Sequence, residues 1–438
     1  MIVSLSVLVT IHEYGHFWVA RRCGVKVLRF SIGFGRPLVR WHDKHGTEFV
    51  IALLPMGGYV KMLDERQEPV AEIERPFAFN NKSVWQRIAV VAAGPLSNIV
   101  LAWALLWATL VFGRDDYSAT IGNVTGLAEQ AHLQPGEVIS RIDGNTIRSW
   151  SDAQLQLTGD AMDRKDAHIT VRTPQNTTEH RVLALSQLAR GFDEHQVVSL
   201  AGIQWKFTLS PTIVDGVMSA SAADGSIYPN DQLLAINNHP ITSPDDLLTR
   251  VQSIGKKNET ARITLERNHQ RIDVTVQPRP TKNGQWLLGL RLRPDVMPAY
   301  DTRIQLPVLQ ALPAAANLTL RLSSETIKML WRIASGRASV HNISGPITSA
   351  RIASISAARG VDWFLYFLAL MSLSLAVINL LPIPILDGGH LLYYIIEVIA
   401  RRPLDVRAQN AGQYIGLALL AGLMGLAFYN DIASLIWR

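Results

Sequence analysis

Two histidines four residues apart, with a glutamate beside the first, are the residues best able to do chemistry: His12-Glu13-Tyr14-Gly15-His16. On a helix, positions i and i+4 share a face, so both imidazoles can aim a nitrogen at one zinc ion. Glu13 is then placed to take a proton from a water polarised by that ion. The motif lies in an apolar run, residues 1–20. Polar side chains in such a helix are costly unless they pair, bind a metal or line a wet cavity. A catalytic zinc also needs a third ligand and one open position. Asp387 is the choice made here, because an acidic group in an apolar stretch needs a positive partner. It stands where a helix begins and could equally be an N-cap. Spacing alone leaves Glu48, Glu65, His390 and Glu397 as rivals. Asn98 and Asn379 could hold a substrate backbone or an oxyanion, or could be helix-packing hydrogen bonds.

The elements that must carry these residues follow from composition and hydropathy. The chain has 438 residues, enough for roughly two to four domains. A hydrophobic fraction of 48% and a mean hydropathy of +0.13 suit membrane helices joined to a water-soluble part. The net charge of +6 comes without a continuous basic block. It reads as membrane-topology charge, and no nucleic-acid partner is expected. With Cys23 alone, no intrachain disulfide can form. The first apolar run lacks a basic n-region, so no cleavable signal peptide is evident.

Four spans are expected: 1–22, 88–113, 361–400 with the Asp387 break, and 410–438. Only about ten apolar residues precede His12, ~15 Å of helix, which puts the motif near mid-depth of a ~30 Å hydrocarbon core. Residues 23–87 read as a cytoplasmic or re-entrant β region. Short strands are expected at 30–35 and 47–53, continuing through Gly57 and Gly58. Its edge could take an unwound substrate as an added strand. Gly94-Pro95 and Asn98 are unusual in a plain anchor and point to close helix packing or local unwinding. Residues 115–293 lose the membrane character and repeat internally: 133–147 matches 228–241. Each copy reads as turn, strand, tight turn (Asp143-Gly144 or Asn237-Asn238) and strand, with helical spacing at 151–157 and 244–252. These look like tandem PDZ modules at 115–205 and 206–293. The Gly-Leu-Gly-Phe carboxylate loop of peptide-binding PDZ domains is recognisable in neither copy. Residues 294–360 form a linker with an amphipathic helix. Leu320, Ile327, Leu330 and Trp331 lie on or near one stripe, for the bilayer surface or the PDZ modules. The first inter-span segment holds Arg21, Arg22, Lys26 and Arg29 among other basic residues, and the third-to-fourth link holds Arg401, Arg402 and Arg407. By the positive-inside rule both are cytoplasmic, which puts 115–293 outside.

The stretches HEYGHFWVARRCGV at 12–25, FSIGFGRPL at 30–38, PMGGYVKMLDE at 55–65, FNNKSVWQR at 79–87, AAGPLSN at 92–98, ISGPI at 343–347 and NLLPIPILDGGH at 379–390 span nearly the whole chain. In them the chain resembles the site-2 protease family of intramembrane zinc metallopeptidases. The resemblance implies an α-helical membrane protein with four transmembrane helices, a membrane-associated β element and two extracytoplasmic α/β PDZ domains. It implies Zn2+ held by His12, His16 and Asp387, Glu13 as the catalytic base, and Asn379 in substrate handling. Asn98, Gly57 and Gly58 are carried as further substrate-binding candidates. The implied location is a bacterial inner membrane, with lipid as the surrounding partner and the active site towards the cytoplasm. The implied substrates are single-span proteins: an anti-sigma factor already trimmed outside the cytoplasm, whose cleavage frees an envelope-stress sigma factor, and signal-peptide remnants. The PDZ pair would filter substrates by size. Met56, where Leu is usual, Asn237-Asn238 and the short start depart from the family pattern. A zinc-binding PDZ membrane scaffold or transporter without proteolysis is the competing reading; it has no need of a base such as Glu13.

Overall fold

The computed structural model describes residues 2–436 apart from 67, 190, 191, 193, 207–211, 220, 242, 243, 269, 282–285, 294–298, 341, 342 and 403. It divides into two compact units, Met1–Asp115 with Arg303–Arg438, and Asp116–Thr302.

The first unit begins with α1 (Ile2–Arg22), which carries the His-Glu-His set. Two long strands follow, β1 (Val27–His42) and β2 (Glu48–Met62). They replace the separate short strands expected from the sequence. Gly33, Gly35 and Gly57 adopt left-handed φ values of 88°, 91° and 101°, which bend the strands without ending them. Phe30 pairs with both Val60 and Phe49, and Ser31 with both Tyr59 and Val50. The first half of β1 therefore lies between the two halves of β2. Phe17, Ala20, Val27, Phe30 and Val90 form the core that fixes this β element to the helices.

Helix α2 (Val84–Phe112) starts earlier than hydropathy alone suggests. Ser83 and Gln86 form a reciprocal capping box that closes its first turn. The long α3 (Val308–Ala334) packs Ala311, Ala315 and Leu322 onto Ala102, Leu106 and Leu110 of α2, and onto Ala369 and Leu373 of α5 (Val361–Leu380). The apolar stripe expected for the bilayer surface or the PDZ modules lies away from these contacts: Leu320, Ile327 and Trp331 are exposed. Between α3 and α5 lies α4 (Pro346–Arg359). Pro382 and Pro384 separate α5 from α6 (Asp387–Ala400), and α7 (Val406–Ile436) completes the unit. Among the described residues, three helices are long and apolar enough to cross a membrane: Val84–Phe112, Val361–Leu380 and Arg407–Ala433. Helix α1 is of similar length, but His12, Glu13 and His16 lower its mean hydropathy.

The second unit contains the repeat. Strands Val138–Ile142 and Gln232–Ile236 each turn back into a short strand. Helices Trp150–Met162 and Pro244–Lys256 follow, then the hairpins Ala167–Leu183 and Ala261–Val276. The two tight turns match in detail. Asp143 has φ 48° and its carboxylate accepts from His168 N at 2.9 Å; Asn237 has φ 48° and its amide oxygen accepts from Arg262 N at 2.8 Å. Both central residues of the second turn are Asn, which tolerates the left-handed region that Gly144 occupies in the first.

Candidate metal centre

Helical periodicity brings the His12 and His16 rings to 4.8 Å between centroids, nearly perpendicular, with their Nε2 atoms 3.2 Å apart. The proline break after α5 lets the chain turn back so that Asp387 reaches the same point. Asp387 Oδ2 lies 3.1 Å from His12 Nε2 and 3.4 Å from His16 Nε2. Asp387 is the first residue of α6, whose cap position is Leu386, so it is not the N-cap that the sequence also allowed. Both histidines are buried, with 7% and 8% of their surface exposed. Among the described residues this is the one cluster of three such side chains, with ligand atoms within 4.8 Å of one another.

The outer nitrogens meet α2. His16 Nδ1 lies 2.8 Å from the Val90 carbonyl oxygen. A carbonyl only accepts, so Nδ1 carries the proton and Nε2 presents its lone pair inward. A bare lone pair facing a carboxylate oxygen is repulsive unless a cation lies between them. Asp387 Oδ2 is buried and has no hydrogen-bond partner. Two imidazole nitrogens and one carboxylate oxygen are also a set that catalytic zinc uses, with one position left open. The residues present therefore fit a zinc ion. Close approach of α2 makes the cluster possible: a Cβ on Gly94 would stand 2.9 Å from His12 Nε2 and nearer still to His16 Nε2. The two helices are tied there by Ser97 Oγ, which donates to the Ile11 carbonyl at 2.8 Å.

A cavity of about 1180 Å³ opens from this point. His12, Glu13, His16, Asn379 and Asp387 line it, and Tyr59 to Met62 of β2 form one wall. Gly58 packs this strand onto Glu13; a Cβ there would meet Glu13 Cγ at 3.4 Å and the Ser31 carbonyl oxygen at 2.7 Å. Gly57 is pressed against the Phe34 ring. The far wall is polar: Arg66 pairs with Asp64, and Arg87 makes a two-pronged pair with Glu397 at 2.7 and 3.2 Å.

Of the sequence-derived candidates, the structure gathers His12, Glu13, His16, Asn379 and Asp387 at one cavity, with Gly58 behind Glu13. The rival third ligands are elsewhere engaged: Glu48 with Arg29 at 2.6 Å, Glu65 with Arg75 at 3.3 Å, and Glu397 with Arg87. His390 lines the cavity outside the ligand cluster. Asn98 takes the second of its two expected readings, a contact between helices. It is 0% exposed and its side chain meets His12 Nδ1 at 3.3 Å, so it does not face the cavity as a substrate holder would. Sequence reasoning missed the Val90 carbonyl; it read close helix packing at Gly94-Pro95 but not that the two histidines are what Gly94 packs against.

The model of peptidase family M50 matches residues 1–423. A Xylella fastidiosa protein named "putative zinc metalloprotease" is 53% identical over 432 residues, covering 99% of this chain and 97% of that one. The regulator of sigma-E protease RseP of Salmonella typhimurium is 38% identical over 442 residues, covering 99% and 98%. RseP of Escherichia coli K12 is 38% identical over 443 residues with the same coverage. Among solved structures, a PDZ domain of an SdrC-like protein from Listeria monocytogenes matches 19% of this chain and 86% of its own, at 16% identity and a TM-score of 0.17. That last likeness is too slight to bear on the fold. With a family match along nearly its whole length and relatives aligned end to end, the chain belongs to peptidase family M50.

Proposed function

We propose that this protein is an intramembrane zinc endopeptidase that cuts single-span membrane proteins in a sigma-E type envelope-stress pathway. The observation that carries the reading is the convergence of His12, His16 and Asp387 beside Glu13 on one cavity. His12 and His16 would bind the ion through Nε2 and Asp387 through Oδ2. Zinc supplies the positive charge that polarises the scissile carbonyl and makes water a better nucleophile. Glu13 takes the proton from the attacking water and returns it to the departing amine. Asn379, on the cavity wall, would hydrogen-bond substrate backbone. A helical substrate hides its carbonyls in its own hydrogen bonds, so it must unwind before cleavage. The Tyr59–Met62 wall, beside Glu13, offers backbone for an extended substrate strand.

The membrane reading adds α1 as a fourth span. Its 21 residues give ~31 Å of helix, about the thickness of the hydrocarbon core. Four spans put both termini on one side, together with the second unit, and Arg21, Arg22, Arg401 and Arg402, in the links on the opposite side, make that opposite side cytoplasmic. The second unit, read as two PDZ modules, is then periplasmic. Trimmed anti-sigma factor and signal-peptide remnants are the substrates this reading expects.

Cleavage of a model single-span substrate by purified protein in detergent tests it, with metal analysis of each variant. Wild type should cut within the span and stop when zinc is chelated. Glu13→Gln should keep its zinc and lose activity by at least about 100-fold. Asp387→Ala should lose both. Zinc bound without cleavage, in detergent and in bilayers alike, would favour a metal-binding scaffold or transporter.

A further inference from the structure

A histidine that binds a metal through Nε2 must carry its proton on Nδ1, and that N–H needs an acceptor. For His16 the acceptor is the Val90 carbonyl. For His12 the Asn98 side chain is the group found there, 3.3 Å from Nδ1. Asn98 is 0% exposed, so water cannot take its place. Its oxygen Oδ1 is buried without a donor, while the NH2 end faces His12. A half-turn of the amide exchanges the two ends at the same contact. It brings the unpartnered oxygen onto the His12 N–H, and the NH2 group takes the oxygen's former place. The Asn98 backbone is fixed independently: Ser372 Oγ of α5, also fully buried, donates to the Asn98 carbonyl at 2.8 Å. Helix α5 leads into the break that delivers Asp387, so one residue of α2 is tied to both ligand-bearing parts of the chain.

We infer that Asn98 is a positioning residue: its side-chain oxygen accepts from His12 Nδ1 and holds the tautomer and ring angle that present Nε2 to the ion. The inference rests on the zinc reading above. It replaces a substrate-contacting role for Asn98 with one exerted through His12.

The test is zinc affinity of the full-length protein in detergent, by competition with a chromogenic chelator at fixed pH. It compares wild type, Asn98→Leu, Asn98→Asp and His12→Ala. Leu keeps the approximate shape and removes the acceptor; Asp offers an acceptor at both ends. Asn98→Leu should bind zinc about 10- to 100-fold more weakly, and Asn98→Asp should bind at least as tightly as wild type. At saturating zinc, Asn98→Leu should regain most of kcat with an unchanged substrate KM. Wild-type zinc affinity in Asn98→Leu, or a KM defect that persists at saturating zinc, would overturn the positioning role. Should Asn98→Leu not fold, weaker binding by Asn98→Asp would overturn it alone, because an amide that donates to Nδ1 is lost in that variant. His12→Ala separates the two levels. If it loses zinc while the Asn98 variants keep it, the metal reading stands and the Asn98 inference falls; if wild type binds no zinc, both fall.

Discussion

One carbon atom at Gly94 is the smallest change that probes the centre. Its Cβ would meet His16 Cε1 at 2.5 Å and His12 Nε2 at 2.9 Å, and the helix backbone leaves it nowhere else to go. Gly94→Ala should therefore displace both imidazoles while leaving α2 a better helix former. A ring shifted by about 1 Å is worth about a hundredfold in rate. Metal analysis and kcat of Gly94→Ala should both fall, with the helical circular dichroism unchanged; retained zinc and activity would show that α1 can move away freely. At this scale legibility followed distance along the chain. His12, Glu13 and His16 are bound by one helical period, so their gathering at one place could be read directly. Asp387 could be singled out because an acid in apolar surroundings needs a cation. Asn98 could not, because its partner lies on another helix and nothing in its own neighbourhood distinguishes a substrate contact from a buried one.

The elements that hold these residues obey membrane rules as well as the rules of a water-soluble core. In α3 the expected apolar stripe, with Leu320, Ile327 and Trp331, is exposed, whereas Ala311, Ala315, Thr319 and Leu322 are buried. An apolar stripe marks the inside of a protein in water. Next to lipid the outside is apolar too, and small residues mark the close helix contact. Periodicity found the helix, and its exposed apolar stripe suits the bilayer surface that the sequence allowed. The β region was legible as β and mis-divided, because its glycines bend strands where turns were expected. Pro95 is an element-scale feature with a consequence of its own. It has no N–H, so the Val91 carbonyl loses its helical partner, and Val91 lines the cavity beside His16 and Glu13. A carbonyl without its helical donor, at a residue that lines the cavity, can accept from a substrate N–H. Pro95→Ala restores the helical bond. It should raise the melting temperature in detergent and lower kcat about tenfold, the value of one hydrogen bond of ~1.4 kcal/mol. A more stable protein with undiminished kcat would show that the carbonyl plays no part.

For the whole molecule, the division into a helical unit and a polar repeat was visible in the loss of hydropathy after residue 113 and in the matched turns. Helix α1 falls outside the three helices apolar enough to cross a membrane because His12, Glu13 and His16, the residues proposed to act, also make it polar. The two units should answer to different chemical variables, metal for one and acid for the other. In the second unit Asp231 is 1% exposed and accepts from Arg267 at 2.6 and 2.8 Å and from Tyr228 N at 2.8 Å. Burial pushes its carboxyl up, but the Arg267 and Tyr228 hydrogen bonds outweigh it and hold the group below the usual carboxylate range. A folded pKa below the unfolded one, ~3.9, contributes stability that is fully present above the unfolded value. That stability is lost as the pH falls through the folded value. The module around residues 212–292 should therefore loosen below about pH 4, independently of zinc. Asp231→Asn should cost it about 2 kcal/mol at pH 7 and flatten its acid limb. Trp286, which hydrogen-bonds Gln252 of the same module, can report the transition as the fluorescence difference between proteins with and without Trp286→Phe, which subtracts the other ten tryptophans. An acid transition of the same size and midpoint in Asp231→Asn would show that other carboxylates carry it; a transition that moved with zinc would show that the two units do not respond separately.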